Sequence, residues 1–482
     1  VIATVDSVIR FKAKDIHPKA MELLGRDLTF PNPEYVNRVR FDRWVGAMPE
    51  EIILMESDGN GTLSIPRGAV NALRNALSAV GDTVDFLDKR VAVEPIEYNL
   101  AFTLRDYQKE AAEFLVRRIQ GCVVIPCGGG KTVVGIAVIV KTGQPTIILV
   151  HTKDLLEQWQ ETIRDALGIE SGVIAEGKVK IKNITVATVQ TLAVMEPGRL
   201  AQIGEHFGTV ILDEAHHVPA TVFRSVLSAF GGKYRYGLTA TPDRADGLTP
   251  LLDLCIGPVV FEVDHKTLVD GGHLIIPEVI SLETGCCPNC DSHSAMVTAL
   301  VNDKARNEMI VSLVLKEAHH GRTILILSGR VDHCGVLAER LRASGITAEA
   351  LTGKVPKKKR TDILDRFRSG ELSVVCATNL ADEGLDVSRL ERLILATPAK
   401  AEGRTIQRLG RLMRPHPGKA TPVLYDLIDD APMARRQQSA RRRAYKKALG
   451  KEALKRSGTK GHCSLFAPED YHDGPRQIES RV

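Results

Sequence analysis

Long apolar runs are missing from this chain of 482 residues. Stretches such as Ala137–Val140 and Thr146–Val150 stop far short of the ~20 residues a helix needs to cross a bilayer, so no membrane span is expected. No charged-then-apolar leader opens the chain, and residue 1 is Val rather than Met, so the numbering is expected to begin after the true start. Cysteine is scarce, nine in all. Cys122, Cys255 and Cys376 sit inside apolar segments, which argues against a disulfide framework and for reduced thiols in a cytoplasmic setting. There is no exact internal repeat and no long low-complexity tract. At 44% hydrophobic and 26% charged residues the composition excludes a wholly disordered or fibrous chain, and the length suits roughly two to four domains.

Charge is present but uneven. Residues 431–460 hold 11 of the 64 Lys+Arg and one of the 59 Asp+Glu, so that stretch carries +10 and the remainder −5. A basic run such as Arg441-Arg442-Arg443 attracts phosphate polyanions through counterion release, and it also suits a solvated helix face.

The patterning changes along the chain. Residues 1–100 read as a small α+β unit, with strands near Glu51–Glu56 and Thr62–Ile65 and an amphipathic helix over Ala69–Val80. From Leu104 short β-branched runs alternate with helical patterns: Cys122–Pro126, Thr146–Val150, Ile184–Ala187, Val210–Leu212 and Arg235–Leu238. The rhythm restarts at Thr323–Leu327, Ala348–Thr352, Ser373–Ala377 and Leu393–Ala396. Near-continuous apolar strands between helices predict parallel sheets covered on both faces. The expectation is an α/β chain with an accessory unit at 1–100, parallel-sheet domains at 101–258 and 301–430, a linker or insert at 259–300 and a basic helical tail at 431–482.

Three constellations carry chemistry. Gly128-Gly129-Gly130-Lys131-Thr132 follows a strand and opens a helix. Such a loop can curl its N–H groups around a polyphosphate, with Lys131 on the β and γ phosphates and the Thr132 hydroxyl on Mg²⁺. Asp213 and Glu214 end a buried strand, suited to holding Mg²⁺ and to deprotonating a water respectively. Arg411 and Arg414, three apart on one helical face in the other α/β domain, could neutralise a developing γ-phosphoryl charge. Each alone has a bland alternative (a chance glycine loop, acids at a helix N-terminus, a surface helix). Their combination predicts a site split between two domains.

Together with Thr239-Ala240-Thr241-Pro242 and Gln407–Arg414, these residues resemble the ordered motifs of superfamily 2 helicases of the DEAH-box kind, over about residues 101–430. Leu104-Arg105-Asp106-Tyr107-Gln108, Pro126–Thr132 and Leu238–Pro242 resemble the XPB-like and type III restriction-like branch. Phe41–Gly46 and Gly61–Gly68 resemble the N-terminal domain of phage UvsW-type fork-remodelling helicases. The resemblance implies tandem RecA-like domains that use ATP and Mg²⁺. It implies adenine contacts by Arg105 and Gln108, ATP contacts by Gly384 and Asp386, and help from Gln407 with the attacking water. It implies coupling through His216, Thr239 and Thr241, and a backbone grip by His151, Thr152, Lys153, Thr188, Gln190, Thr352, Gly353 and Thr378, with Arg441, Arg442 and Arg443 of the tail adding phosphate contacts. The expected partner is duplex, forked or branched DNA, engaged by a monomer, in repair, recombination or phage-related DNA processing. Protein partners, if any, would use the N-terminal domain or the tail. RNA, a restriction-type motor without its own nuclease cluster, and an ATP-gated clamp are the rival readings.

Two weaker signals remain. Cys287, Cys290 and His293 lack a fourth ligand at suitable spacing, so an ordinary loop is expected there rather than Zn²⁺. Trp44 and Tyr35 could probe a base or fork junction, but core packing is the expectation for both.

Overall fold

Strict alternation builds the first unit. In the computed structural model, which describes residues 1–126, 128–214, 220–240, 248–378, 387–398, 408–449 and 454–456, Ala3, Val5, Ile9 and Phe11 point inward while their neighbours face out. Their strands Ile2–Val5 and Val8–Lys12 join a five-stranded sheet in the order Glu56–Ser57, Thr62–Pro66, Val8–Lys12, Ile2–Val5, Asp85–Asp88. Helices Pro18–Asp27 and Val70–Ser78 cover it through Leu24, Leu73 and Leu77, all fully buried. A separate hairpin pairs Thr29–Pro31 with Glu51–Ile53 and carries the helix Pro33–Arg40. That helix buries none of its residues. Trp44, expected in the core, is 84% exposed, and Tyr35 is half-buried; the chain around them is too polar to be swallowed by so small a sheet.

Buried β-branched strands build the other two. The first α/β sheet has eight strands in the order Lys178–Lys180, Gly172–Ala175, Ile184–Thr188, Thr146–Val150, Thr209–Asp213, Tyr234–Thr239, Gln120–Val124, Val259–Glu262. All pairs are parallel except the outer Lys178–Lys180. The second has seven, all parallel, in the order Ala348–Leu351, Val374–Thr378, Ile324–Ser328, Arg392–Leu395, Val423–Ile428, Glu278–Glu283, Leu454–Arg456. Thr146–Val150 and Val374–Thr378 are buried at every position, as strands covered on both faces must be. These are the tandem RecA-like domains. Among the described residues no helix is long and apolar enough to cross a membrane.

Two boundaries differ from those read in the sequence. Residues 259–300 are not a free linker: Val259–Glu262 is an edge strand of the first sheet and Glu278–Glu283 an inner strand of the second. The glycines between these two short strands, and the clustered cysteines after them, hid the strands in the sequence. The basic segment is not a detached tail either. Its helix Pro432–Leu449 docks on the second sheet, where the Arg441 guanidinium pairs with Asp426 at 2.7 Å and the Tyr445 hydroxyl donates to the same carboxylate at 3.2 Å.

Arginines weld the N-terminal unit to the first α/β domain. Arg67, 1% exposed, donates to the carbonyls of Gly232 at 2.6 Å and Lys233 at 2.8 Å. Arg235 reciprocates, donating to the Ser7 carbonyl at 3.0 Å and to those of Phe230 and Cys255. Burial pushes the Arg235 guanidinium down to about 10. At Gly68 a Cβ would lie 2.2 Å from the Asp253 carbonyl oxygen, so nothing larger fits between the two units.

Candidate nucleotide site

The glycine loop leaves the strand Gln120–Val124 and enters the helix Lys131–Thr142. Gly128 and Gly130 take φ of +85° and +80°, conformations that L side chains resist, and this lets the loop curl over the helix N-terminus. The helix then starts at Lys131, whose Nζ lies 3.0 Å from Glu214 Oε1. Both side chains are largely shielded, at 13% and 9% exposure. Glu214 itself sits at φ +52°, rare for a side chain, which turns it out of the strand Thr209–Asp213 and toward the lysine.

Asp213 is the buried end of that strand. Its Oδ2 accepts a hydrogen bond from the Trp159 indole N–H at 2.8 Å, while its buried Oδ1 has no hydrogen-bond partner. Burial, with the neighbouring Glu214 carboxylate second, pushes its pKa up to about 6. A buried carboxylate oxygen without a hydrogen-bond partner, next in sequence to the glutamate that pairs with Lys131, is the kind of ligand Mg²⁺ takes, so the residues present fit that ion. Trp159 is fully buried and wedged against Gly135, where a Cβ would stand 2.5 Å from its ring.

The motif expected to contact the base sits over the loop. The Gln108 side chain caps its own helix by accepting from the Arg105 N–H at 3.0 Å, and its amide nitrogen lies where a Cβ on Gly130 would be 2.6 Å away. The Tyr107 hydroxyl donates to the Gly129 carbonyl at 2.6 Å and accepts from Arg105 at 3.2 Å. The Tyr107 and His273 rings meet at 5.7 Å.

The second α/β domain closes the other wall. A Cβ on Gly128 would lie 2.9 Å from the Gly410 carbonyl oxygen and 3.6 Å from Arg414 Cγ. Leu409, Leu412 and Met413 are buried, which leaves Arg411 and Arg414 half-buried on the other side of that short helix. Its last carbonyls are held by Lys419, whose Nζ donates to Leu412 at 2.9 Å and Arg414 at 2.6 Å. Burial pushes the Lys419 ammonium down to about 8. The segment between the two sheets runs past the same point: the Ile275 N–H donates to the Met413 carbonyl at 2.8 Å, and Leu274 and Leu268 flank Gly128 and Gly129.

The expected nucleic-acid residues gather at the carboxyl ends of the parallel strands. Gln190 donates to the His151 carbonyl at 2.8 Å, joining two of those loops. The Thr152 hydroxyl caps the helix Lys153–Leu167, Lys153 pairs with Glu176 at 2.6 Å, and the Thr188 hydroxyl bonds that of Thr191. Thr239 ends the strand Tyr234–Thr239 beside the loop, its carbonyl accepting from the Ile125 N–H at 2.9 Å. Thr352 and Thr378 are buried at the ends of their strands, and Gly353 is exposed. Arg441 was expected to face phosphate; the ion pair with Asp426 turns it inward, whereas Arg442 and Arg443 face solvent. His216, Thr241, Gly384, Asp386 and Gln407 lie outside the described residues. The Cys287 thiol donates to the Asp430 carbonyl, and among the described residues no group of three or more His, Cys, Asp or Glu is placed to hold a metal.

Three supporting residues were not singled out from the sequence. Tyr107 lay inside a quoted motif, whereas Trp159 and Lys419 act through contacts that no local pattern announces.

Known proteins match this arrangement in two blocks. Residues 101–244 match the family described as type III restriction enzyme, res subunit, and residues 305–416 the helicase conserved C-terminal domain. The DNA 3'-5' translocase XPB2 of Sulfurisphaera tokodaii is 28% identical over 63% of this chain and 78% of its own length. The DNA 3'-5' helicase XPB of Kineococcus radiotolerans is 27% identical over 59% of this chain, a match that spans only about half, 52%, of that relative. Among solved structures, a fragment of an HsdR subunit of a type I restriction enzyme from Vibrio vulnificus shares the fold over 74% of this chain and 69% of its own, at TM-score 0.56 and 19% identity. T4 UvsW aligns with 95% of this chain and 99% of its own at TM-score 0.41 and 16% identity.

Proposed function

The chain belongs to the superfamily 2 helicases, ATP-dependent hydrolases, in their XPB-like and type III restriction-like branch, and from that premise we propose a motor that hydrolyses ATP between its two α/β domains to move along duplex or branched DNA. The observation behind this reading is the approach of Gly128 to the Gly410 carbonyl and to Arg414 Cγ, which brings the glycine loop against the segment that carries the two arginines.

The residues divide the work. The loop N–H groups and Lys131 take the triphosphate, and Arg105 and Gln108 the base. Asp213 and Thr132 would hold Mg²⁺, which when bound neutralises phosphate charge. Glu214, with Gln407, orients and deprotonates the attacking water. Arg411 and Arg414 stabilise the charge that develops, an effect worth roughly 10³–10⁵ in rate for an arginine finger. His216, Thr239, Thr241, Gly384 and Asp386 link hydrolysis to the nucleic-acid grip. That grip falls to His151, Thr152, Lys153, Thr188 and Gln190 in one domain, and Thr352, Gly353 and Thr378 in the other. Domain closure then shifts the two grips in alternation along the phosphate backbone. The motor works as a monomer in the cytoplasm, in DNA repair or recombination.

The test is ATP hydrolysis by the full chain with blunt duplex, forked DNA, single strands and RNA. Stimulation is expected with DNA above RNA, and Lys131→Ala is expected to remove nearly all turnover. A Lys131→Ala variant that hydrolyses ATP at the wild-type rate would overturn the reading.

A further inference from the structure

The hairpin of the N-terminal unit carries a surface that the ATP site does not explain. Trp44 is 84% and Phe41 64% exposed, and Val36 and Val39 beside them are exposed too. This surface is built rather than loose. Arg38 donates to the Trp44 carbonyl at 3.2 Å and pairs with Glu34 at 2.8 Å, and the Arg43 N–H returns to the Arg38 carbonyl at 2.8 Å. The benzo edge of the indole lies close to Gly46, at φ +56°: a Cβ there would stand 2.8 Å from it. The rest of the ring is presented to solvent.

Charge accompanies the rings. The guanidiniums of Arg40 and Arg43 lie 6.0 and 5.9 Å from the centre of the Phe41 ring. Among the described residues neither arginine has an ion-pair partner. Exposed aromatic faces beside guanidiniums that no carboxylate neutralises are what capture unpaired bases, since stacking takes the base and the cation its phosphate. A phosphate-only site would have no use for an exposed indole. The hairpin is also strapped to the motor. Arg224, on the helix Ala220–Leu227 that follows the catalytic acids, donates to the Ile53 carbonyl at 2.6 Å and pairs with Glu56 at 2.6 Å.

We propose that Trp44 and Phe41, flanked by Arg40 and Arg43, form a stacking platform for unpaired bases of the nucleic acid on which the motor works, so that the protein prefers a junction with single-stranded arms to a blunt duplex. This rests on the motor reading above.

The experiment compares the full chain on three labelled DNAs of equal phosphate count: a fork with thymidine arms, the same fork with abasic arms, and a blunt duplex. Wild type is expected to bind the thymidine fork about 5- to 150-fold more tightly than the abasic one, the range for one stacked base. Trp44→Ala, and more so its combination with Phe41→Ala, is expected to erase that difference while leaving ATP hydrolysis without DNA unchanged. Equal discrimination by wild type and Trp44→Ala overturns the platform alone, provided DNA still stimulates wild-type hydrolysis. A wild-type protein whose ATPase ignores every nucleic acid overturns the motor reading and the platform together.

Discussion

One oxygen of Asp213 is fixed by Trp159 and the other is buried without a hydrogen-bond partner, so the indole decides which way the carboxylate points. Hydrogen bonds to charged groups are worth about 1.5–3 kcal/mol, or roughly one to two decades in rate. Trp159→Phe keeps the ring and removes the donor. It is expected to lower kcat at least tenfold and to raise the Mg²⁺ concentration needed for half-maximal hydrolysis, read from a Mg²⁺ titration of the ATPase. Unchanged Mg²⁺ dependence in a folded variant would deny the indole this positioning role. Lys131 and Thr132 could be read directly because loop and helix are contiguous. The Trp159–Asp213 pair could not, because its partners are 54 positions apart and no spacing rule joins them.

At the scale of the element, the helix Pro432–Leu449 shows how charge can hide a buried stripe. Ala434, Gln437, Arg441, Ala444 and Tyr445 are all buried, a spacing of three and four that marks a helix packed on one side. Two polar residues in that stripe, Gln437 and Arg441, made it read as an exposed phosphate-binding or solvated face. Arg441 and Arg442 should therefore behave oppositely although they are adjacent. Arg441→Ala strands Asp426 in the interior and is expected to cost about 3–5 kcal/mol of stability, seen as a lowered Tm. Arg442→Ala should leave Tm nearly unchanged. The same change should flatten the plot of log affinity against log salt, by about 0.9 in slope if this side chain neutralises one DNA phosphate. The strands Thr146–Val150 and Ile184–Thr188 were legible for the opposite reason: apart from threonines they are apolar, as a sheet covered on both faces favours. Glu278–Glu283 buries only Val279 and Leu282 and stands near glycines and cysteines, so it passed for linker.

For the whole molecule, the N-terminal unit and the first α/β domain share one continuous apolar core, with Ile9, Leu73, Val210 and Ile256 all buried within it. Arg67 closes that seam by capping the carbonyls of Gly232 and Lys233. Arg67→Ala leaves those carbonyls buried without donors and is expected to cost about 2–4 kcal/mol. Hydrogen exchange should quicken together in residues 2–12 and 120–124; acceleration on one side only would mean the two units unfold separately. The tandem architecture was readable from strand rhythm, whereas this seam was not, because arginine in a core is the residue sequence patterns least suggest. The joint between the two α/β domains behaves differently. Residues 263–277 cross from one sheet to the other beside the phosphate loop itself, with Leu268 and Leu274 flanking Gly128 and Gly129. The fulcrum of any rotation between the two sheets therefore lies beside the glycine loop, while Lys178–Lys180 and Ala348–Leu351 occupy the far margins of their sheets. A small angular change there moves the loop little, yet carries those margins through longer arcs, as a long oar multiplies a short stroke at the rowlock.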